Sequence, residues 1–202
     1  LVENTAVVNL YSCEGCGVCS HVCPAGAVRL LPDVAGKKEL YTGDGVFSTA
    51  TLKMGRGNSG KLVTEVKKAM LKAAPPCELA IVDGSPGIGC PVIASVNGMD
   101  LVLVVAEPSG SGISDLKRLC ATAATLQVQL AVCVNKYDVS PQHTERIETF
   151  CRQQGIAFVG KIPFDPMAVR AVNEGTTVVD IDCPAGRAVR EIFAKLTALL
   201  TE

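Results

Sequence analysis

Four short aliphatic runs, at residues 79–82, 101–106, 130–134 and 156–159, most narrowly limit what this chain can fold into. Each is rich in Val, Ile, Leu and Ala and lacks the polar alternation of a strand with one wet face, so each is expected to be a strand buried on both faces. Helical periodicity fills two of the gaps, at about 113–126 and 141–154, and marks a last helix at about 184–200, where Val189, Ile192, Phe193, Leu196 and Leu200 share one side. Strands alternating with helices predict an α/β fold, a parallel sheet covered by helices and joined by right-handed crossovers. A further helix is expected over 60–73, where Leu62, Val66, Met70 and Leu71 recur at helical spacing and Pro75-Pro76 stops the pattern. Residues 35–58, rich in Gly, Lys and Thr, suggest a hairpin or loop, and 48–54 is too polar to pass for a core strand.

Ahead of this lies a different kind of segment. Cys13, Cys16, Cys19 and Cys23, followed by Pro24, give the spacing C-x2-C-x2-C-x3-C-P, which is the bacterial ferredoxin run. Gly15 and Gly17 permit the tight turns that aim backbone N–H groups at sulfur. Short strands are expected on either side, at 5–9 and 27–31. Zinc is the alternative occupant, but zinc usually takes two C-x2-C knuckles well separated in sequence, not four cysteines within eleven residues. In two-cluster ferredoxins the fourth Cys of such a run serves the other cluster; one run is present here, so a remote Cys or a segment ahead of Leu1 would complete the sets. His21, between two ligands, reads as a solvent-facing loop residue.

Two further stretches bear on nucleotides. The stretch from Gly55 to Lys61 fits G-x4-G-K, but Leu62 stands where a Ser or Thr would bind magnesium, and no core strand leads into it. Lys61 is therefore expected on a helix surface. Asp83-Gly84-Ser85-Pro86-Gly87-Ile88-Gly89-Cys90-Pro91 follows the 79–82 run, at a strand's carboxyl end where open α/β sheets bind ligands. Asp83 there suits a magnesium-side carboxylate, with Gly84, Gly87 and Gly89 letting the loop approach a phosphate. Asn135-Lys136-Tyr137-Asp138 follows the 130–134 run; Asn135 and Asp138 offer an amide and a carboxylate to a base, or serve only as turn and helix-cap chemistry.

Together with Gly60-Lys61-Leu62-Val63, Glu107-Pro108-Ser109-Gly110-Ser111-Gly112 and Ile162-Pro163-Phe164, these motifs resemble the MinD superfamily of P-loop ATPases that carry an inserted ferredoxin domain. The ATPase core of that family is similar to the nitrogenase iron protein. The resemblance implies an incomplete P-loop NTPase-like core over 35–202 and half of an inserted 4Fe–4S domain over 1–34. The first strand, a deviant Walker A loop and another cysteine motif are then expected ahead of Leu1. It also implies ATP and Mg2+ as cofactors of the full-length protein beside the 4Fe–4S cluster, Asp83 on the magnesium side and Asn135 near adenine. Cys90, seven residues after Asp83, is similar in spacing to a cluster-ligating Cys of the nitrogenase iron protein; a small buried hydrophobe is the plain alternative. Cys77, Cys120, Cys133, Cys151 and Cys183 show no ligand spacing.

The remaining totals narrow the partners. A net charge of -1 with no basic stretch gives no electrostatic reason for nucleic acid. No apolar run approaches the ~18 residues that read as a membrane span. Ten cysteines without an export signal favour thiolate chemistry in a reducing compartment, by default the cytoplasm. Arg187, Arg190 and Lys195 flank the last helix too sparsely for a membrane-surface helix. The expected partners are a redox protein and a second copy in a homodimer. Three functions compete: ATP-linked electron transfer, a plain electron-carrying module, and an iron–sulfur assembly or carrier factor. The chain by itself is expected to be inactive as an ATPase.

Overall fold

The computed structural model describes residues 6–9 and 12–201. The backbone forms two compact units, Leu1–Ser95 and Val96–Glu202. The expected boundary at 34/35 instead lies inside the first unit, because the hairpin and helix that follow the cysteines cluster with them.

In the first unit, the cysteine segment contains one short helix, α1 (Val18–Val22). The antiparallel hairpin β1 (Gly36–Thr42) and β2 (Val46–Leu52) comes next, then α2 (Ser59–Ala73) and α3 (Cys90–Val96), which ends at the unit boundary. Residues 48–52, set aside above as too polar for a core strand, belong to β2. Thr49 and Thr51 are β-branched residues that suit a pleated, half-buried hairpin, and Ser48 Oγ donates to the Val66 carbonyl of α2 at 2.9 Å. Inside this unit Lys67 ties α2 to α3. Its Nζ donates to the Ala94 and Ser95 carbonyls at 3.0 and 3.1 Å, where a helix C-terminus favours a cation. Partial burial holds its pKa below the ordinary lysine value.

Among the described residues, three expected strands are not found. Residues 79–82 are irregular and largely exposed, Ile81 at 74%. An apolar run becomes a strand only with a hydrogen-bonding neighbour, and among the described residues it pairs with none. Residues 27–31 are irregular and mostly exposed for the same reason. Residues 6–9 are also irregular, while Thr5 lies outside the described residues.

The second unit matches the pattern closely. Strands β3 (Leu101–Ala106), β4 (Gln129–Asn135) and β5 (Ala157–Ile162) form a parallel sheet in the order β3-β4-β5. Between them run α4 (Gly110–Thr125) and α5 (Pro141–Gln154); α6 (Pro166–Asn173) and α7 (Pro184–Thr201) follow. Period-two alternation sorts the strands onto two cores. Val104, Ala106, Val132 and Val134 meet Ile113 and Leu116 of α4 and Ile147 and Cys151 of α5. Ala131, Cys133 and Val159 meet Ile192 of α7. The sheet is thus covered on both faces. Val105, at 54% exposure on edge strand β3, is the gap in that cover. No helix among the described residues is long and apolar enough to cross a membrane.

Candidate iron–sulfur and nucleotide sites

Cys13, Cys16 and Cys19 are exposed and Cys23 is half-buried. On either side of Cys16, Gly15 and Gly17 both adopt the left-handed region, at φ 60 and 77, which permits tight turns between the cysteines. Gly17 then caps α1, which carries Cys19; Ser20 Oγ donates to the Gly17 carbonyl at 2.7 Å. Backbone N–H groups serve the sulfurs. Gly15 N donates to Cys13 Sγ and Ala27 N to Cys23 Sγ, each at 3.4 Å. Donation from the Ala27 N–H, then from those of Ala25, Gly26 and Val28, holds the Cys23 thiol below its ordinary pKa. His21 is exposed on α1.

No three His, Cys, Asp or Glu side chains among the described residues converge on a point that could hold a single metal ion. The fit to a cluster therefore rests on the donor set. Four thiols lie within eleven residues, with two left-handed glycines and N–H···S donation at the first and last sulfurs, which is the chemistry an iron–sulfur cluster takes.

The nucleotide candidates fall in both units. Lys61 sits exposed on the first turn of α2, and the strand ahead of it, β2, belongs to an antiparallel hairpin, so the stretch from Gly55 to Lys61 lacks the context of a phosphate loop. Asp83, Gly84, Gly87 and Gly89 lie in an exposed irregular loop that ends at α3. The strand expected to feed that loop is absent, so Asp83 is not at a strand end. Cys90 is exposed at the first position of α3, which overturns its reading as a buried hydrophobe. Packing leaves it outside because α3 turns later residues inward, Val92 and Val96 among them.

In the second unit Asn135 is the last residue of β4. Lys136 follows in the left-handed region at φ 53, and its Nζ pairs with Glu107 Oε1 just past β3 at 3.0 Å. Asp138 Oδ1 accepts from the Phe164 N–H at 2.8 Å, so one carboxylate oxygen already fastens the chain after β5. A cleft of about 400 Å³ beside it is lined by Tyr137, Asp138, Glu145, Glu148 and Lys161; three carboxylates against one ammonium do not suit a phosphate.

Sequence reasoning missed Glu14, Gly57 and Asn58, which join the cysteine loop to the start of α2 across 44 residues. It also missed Asp165, which accepts N–H groups from two helix starts. Contacts at that range leave no periodic trace. The sole local signal was the Asp165-Pro166 pair, a cap followed by a proline in the first helical turn.

Comparison with known proteins agrees with both halves. The 4Fe–4S binding domain family matches residues 6–29. An uncharacterized protein of Methanocaldococcus jannaschii is 28% identical over 145 residues, 72% of this chain and 48% of the relative. An iron–sulfur cluster carrier protein of Pyrococcus furiosus is 30% identical over 158 residues, 71% of this chain and 54% of the relative. The chain thus spans about half the length of these curated relatives. Among solved structures, the MinD cell division protein of Aquifex aeolicus superposes with a TM-score of 0.53 at 24% identity, over 69% of this chain and 59% of that one. Cysteine set, parallel sheet and these likenesses together give the chain a 4Fe–4S binding segment at residues 6–29 and an α/β fold similar to that of MinD.

Proposed function

We propose that the chain is part of an ATP-linked electron-transfer protein in which Cys13, Cys16, Cys19 and Cys23 hold a resident 4Fe–4S cluster. When bound, such a cluster supplies a one-electron couple. The observation that carries the reading is four thiols within eleven residues, with backbone N–H groups already directed at the first and last sulfurs. Backbone N–H groups directed at sulfur steady a bound cluster and favour its retention.

Exposed Val18, Val22, Leu30 and Leu31 give the cysteine segment an apolar surface. That surface suits a protein redox partner better than a nucleic acid. The nucleotide half of the proposal assigns Asp83 to magnesium, with Gly84, Gly87 and Gly89 beside phosphate; within the second unit, taken by itself, Asn135 and Asp138 are assigned to a base. Asp138 keeps a second oxygen for that role while the first holds Phe164. A homodimer and a cytoplasmic setting belong to the same proposal.

A second reading has its own support. The Pyrococcus furiosus relative is an iron–sulfur cluster carrier protein, and in a carrier the cluster is cargo. The two readings part on lability. Chain reconstituted anaerobically with iron and sulfide should keep its cluster when mixed with an apo-ferredoxin acceptor. Transfer within minutes supports the carrier, and a chain that stays colourless or binds only zinc removes both.

A further inference from the structure

The peptide between the first two cysteines is fastened from outside the cysteine segment. The Asn58 backbone N–H donates to Glu14 Oε2 at 2.8 Å, and the Asn58 side-chain amide donates to the Glu14 carbonyl. One residue therefore grips both the side chain and the main chain of Glu14. The fit is reciprocal. A Cβ on Gly57 would collide with the Glu14 carboxylate, and a Cβ on Gly15 would come within 3.2 Å of Asn58 Nδ2. Each strand of the contact supplies a glycine where the other supplies a side chain. Asn58 itself sits at φ 67, a left-handed conformation that Asn tolerates better than most residues. It is also the residue from which α2 starts. A helix of fifteen residues thus anchors the grip.

We propose that Asn58 is a positioning residue for the iron–sulfur site. By holding Glu14 it fixes the Cys13–Cys16 turn, including the Gly15 N–H that donates to Cys13 Sγ. The proposal rests on the reading that Cys13, Cys16, Cys19 and Cys23 hold a cluster. Partners of this kind, one step removed from the ligands, commonly change metal affinity by about 10- to 100-fold.

The test uses the 202-residue chain reconstituted anaerobically with iron and sulfide, with cluster loss to a ferrous chelator followed by visible absorbance. Asn58→Gly keeps the backbone N–H and the left-handed turn but deletes the amide. Gly57→Ala displaces the Glu14 carboxylate. Each should lose its cluster about 10-fold faster than the parent, with helix content by circular dichroism unchanged. In a Glu14→Ala background, adding Gly57→Ala should change the loss rate no further, because the colliding carboxylate is gone. Hydrogen exchange supplies a readout free of the chelator: amides of residues 14–16 should exchange faster in Asn58→Gly even without iron. Loss rates equal to the parent's in both single variants overturn the proposal, as does a Gly57→Ala effect that persists without Glu14. A parent chain that takes up no iron overturns the cluster reading itself and this proposal with it.

Discussion

Asp165 and Ala185, twenty residues apart in sequence, are joined by a hydrogen bond that locks two helix starts together. Asp165 Oδ2 accepts the Ala185 N–H of α7 at 3.1 Å, while its Oδ1 caps α6 through the Met167 N–H at 3.0 Å. Both are unsatisfied donors of a helix N-terminus, the places where a carboxylate is favoured. Donation from Ala185, then Met167, holds the carboxyl below its ordinary value of 3.8.

A pH dependence follows with a definite sign. A group whose pKa falls on folding stabilises the fold above its unfolded value and loses that contribution as pH drops through the lower folded value. Asp165→Ala should therefore lower the thermal midpoint at pH 7 by a few degrees. Asp165→Asn, which keeps one acceptor oxygen, should lower it less. Both deficits should shrink as pH falls below 3.8 through the lower folded value; the Asn deficit should vanish once the parent's carboxyl is protonated, while the Ala deficit should fall only to the difference between the two variants, because a neutral carboxyl keeps one acceptor oxygen. Thermal melts across pH 2–7 check this, and a deficit independent of pH would show that the charge contributes nothing.

The two-faced core makes a second prediction. Ile147 is fully buried against β4 beside Val132 and Val134, so Ile147→Ala should cost about 2–5 kcal/mol through lost burial and a residual cavity. Val105, more than half exposed on the edge strand, should tolerate Thr within about 0.5 kcal/mol. Urea unfolding of the two variants gives the comparison. Similar losses would mean that the exposed side of β3 is covered in solution.

Cysteine accessibility makes a third. Burial pushes the Cys133 and Cys151 thiols up to about 11, so in the folded chain at pH 8 neither should react with iodoacetamide. Cys77 and Cys90 are exposed and should react in both the iron-free and the reconstituted chain. Cys13, Cys16, Cys19 and Cys23 should react only without iron. Mass spectrometry of the alkylated chain reads all of these at once. If Cys13, Cys16, Cys19 and Cys23 alone hold the iron, Cys90→Ser should leave the iron per chain unchanged; a fall in iron, or protection of Cys90 on reconstitution, would make it a ligand.

What could be read from sequence follows the range of the interactions. The second unit was legible because buried parallel strands and amphipathic helices are local patterns: 101–106 and 141–154 coincide with β3 and α5. The 4Fe–4S binding segment was legible because the C-x2-C-x2-C-x3-C-P spacing is local, and it falls within the residues 6–29 that match that family. Residues 79–82 misled for a physical reason. Aliphatic composition reports a preference for burial, whereas a strand also needs a neighbour to pair with, and composition does not say whether one is there. The short α1 and α3 escaped because five and seven residues carry too little periodicity. The Glu14–Asn58 contact escaped because each partner reads as an ordinary polar residue in a Gly-rich loop.

The sharpest functional prediction concerns Lys61. In a phosphate loop the lysine follows a glycine-rich turn fed by a buried parallel strand. Here β2 is half of an antiparallel hairpin, Leu62 replaces the hydroxyl that would hold magnesium, and Lys61 is exposed. Asn58 and Gly57, which occupy the middle of the loop, are committed to Glu14. A loop whose backbone already engages a carboxylate is poorly disposed to cradle a second anion. The purified 202-residue chain should show no magnesium-dependent ATP hydrolysis above a no-protein control, and Lys61→Ala should change neither that result nor the iron content. Turnover that Lys61→Ala abolishes would reinstate the stretch from Gly55 to Lys61 as the phosphate loop.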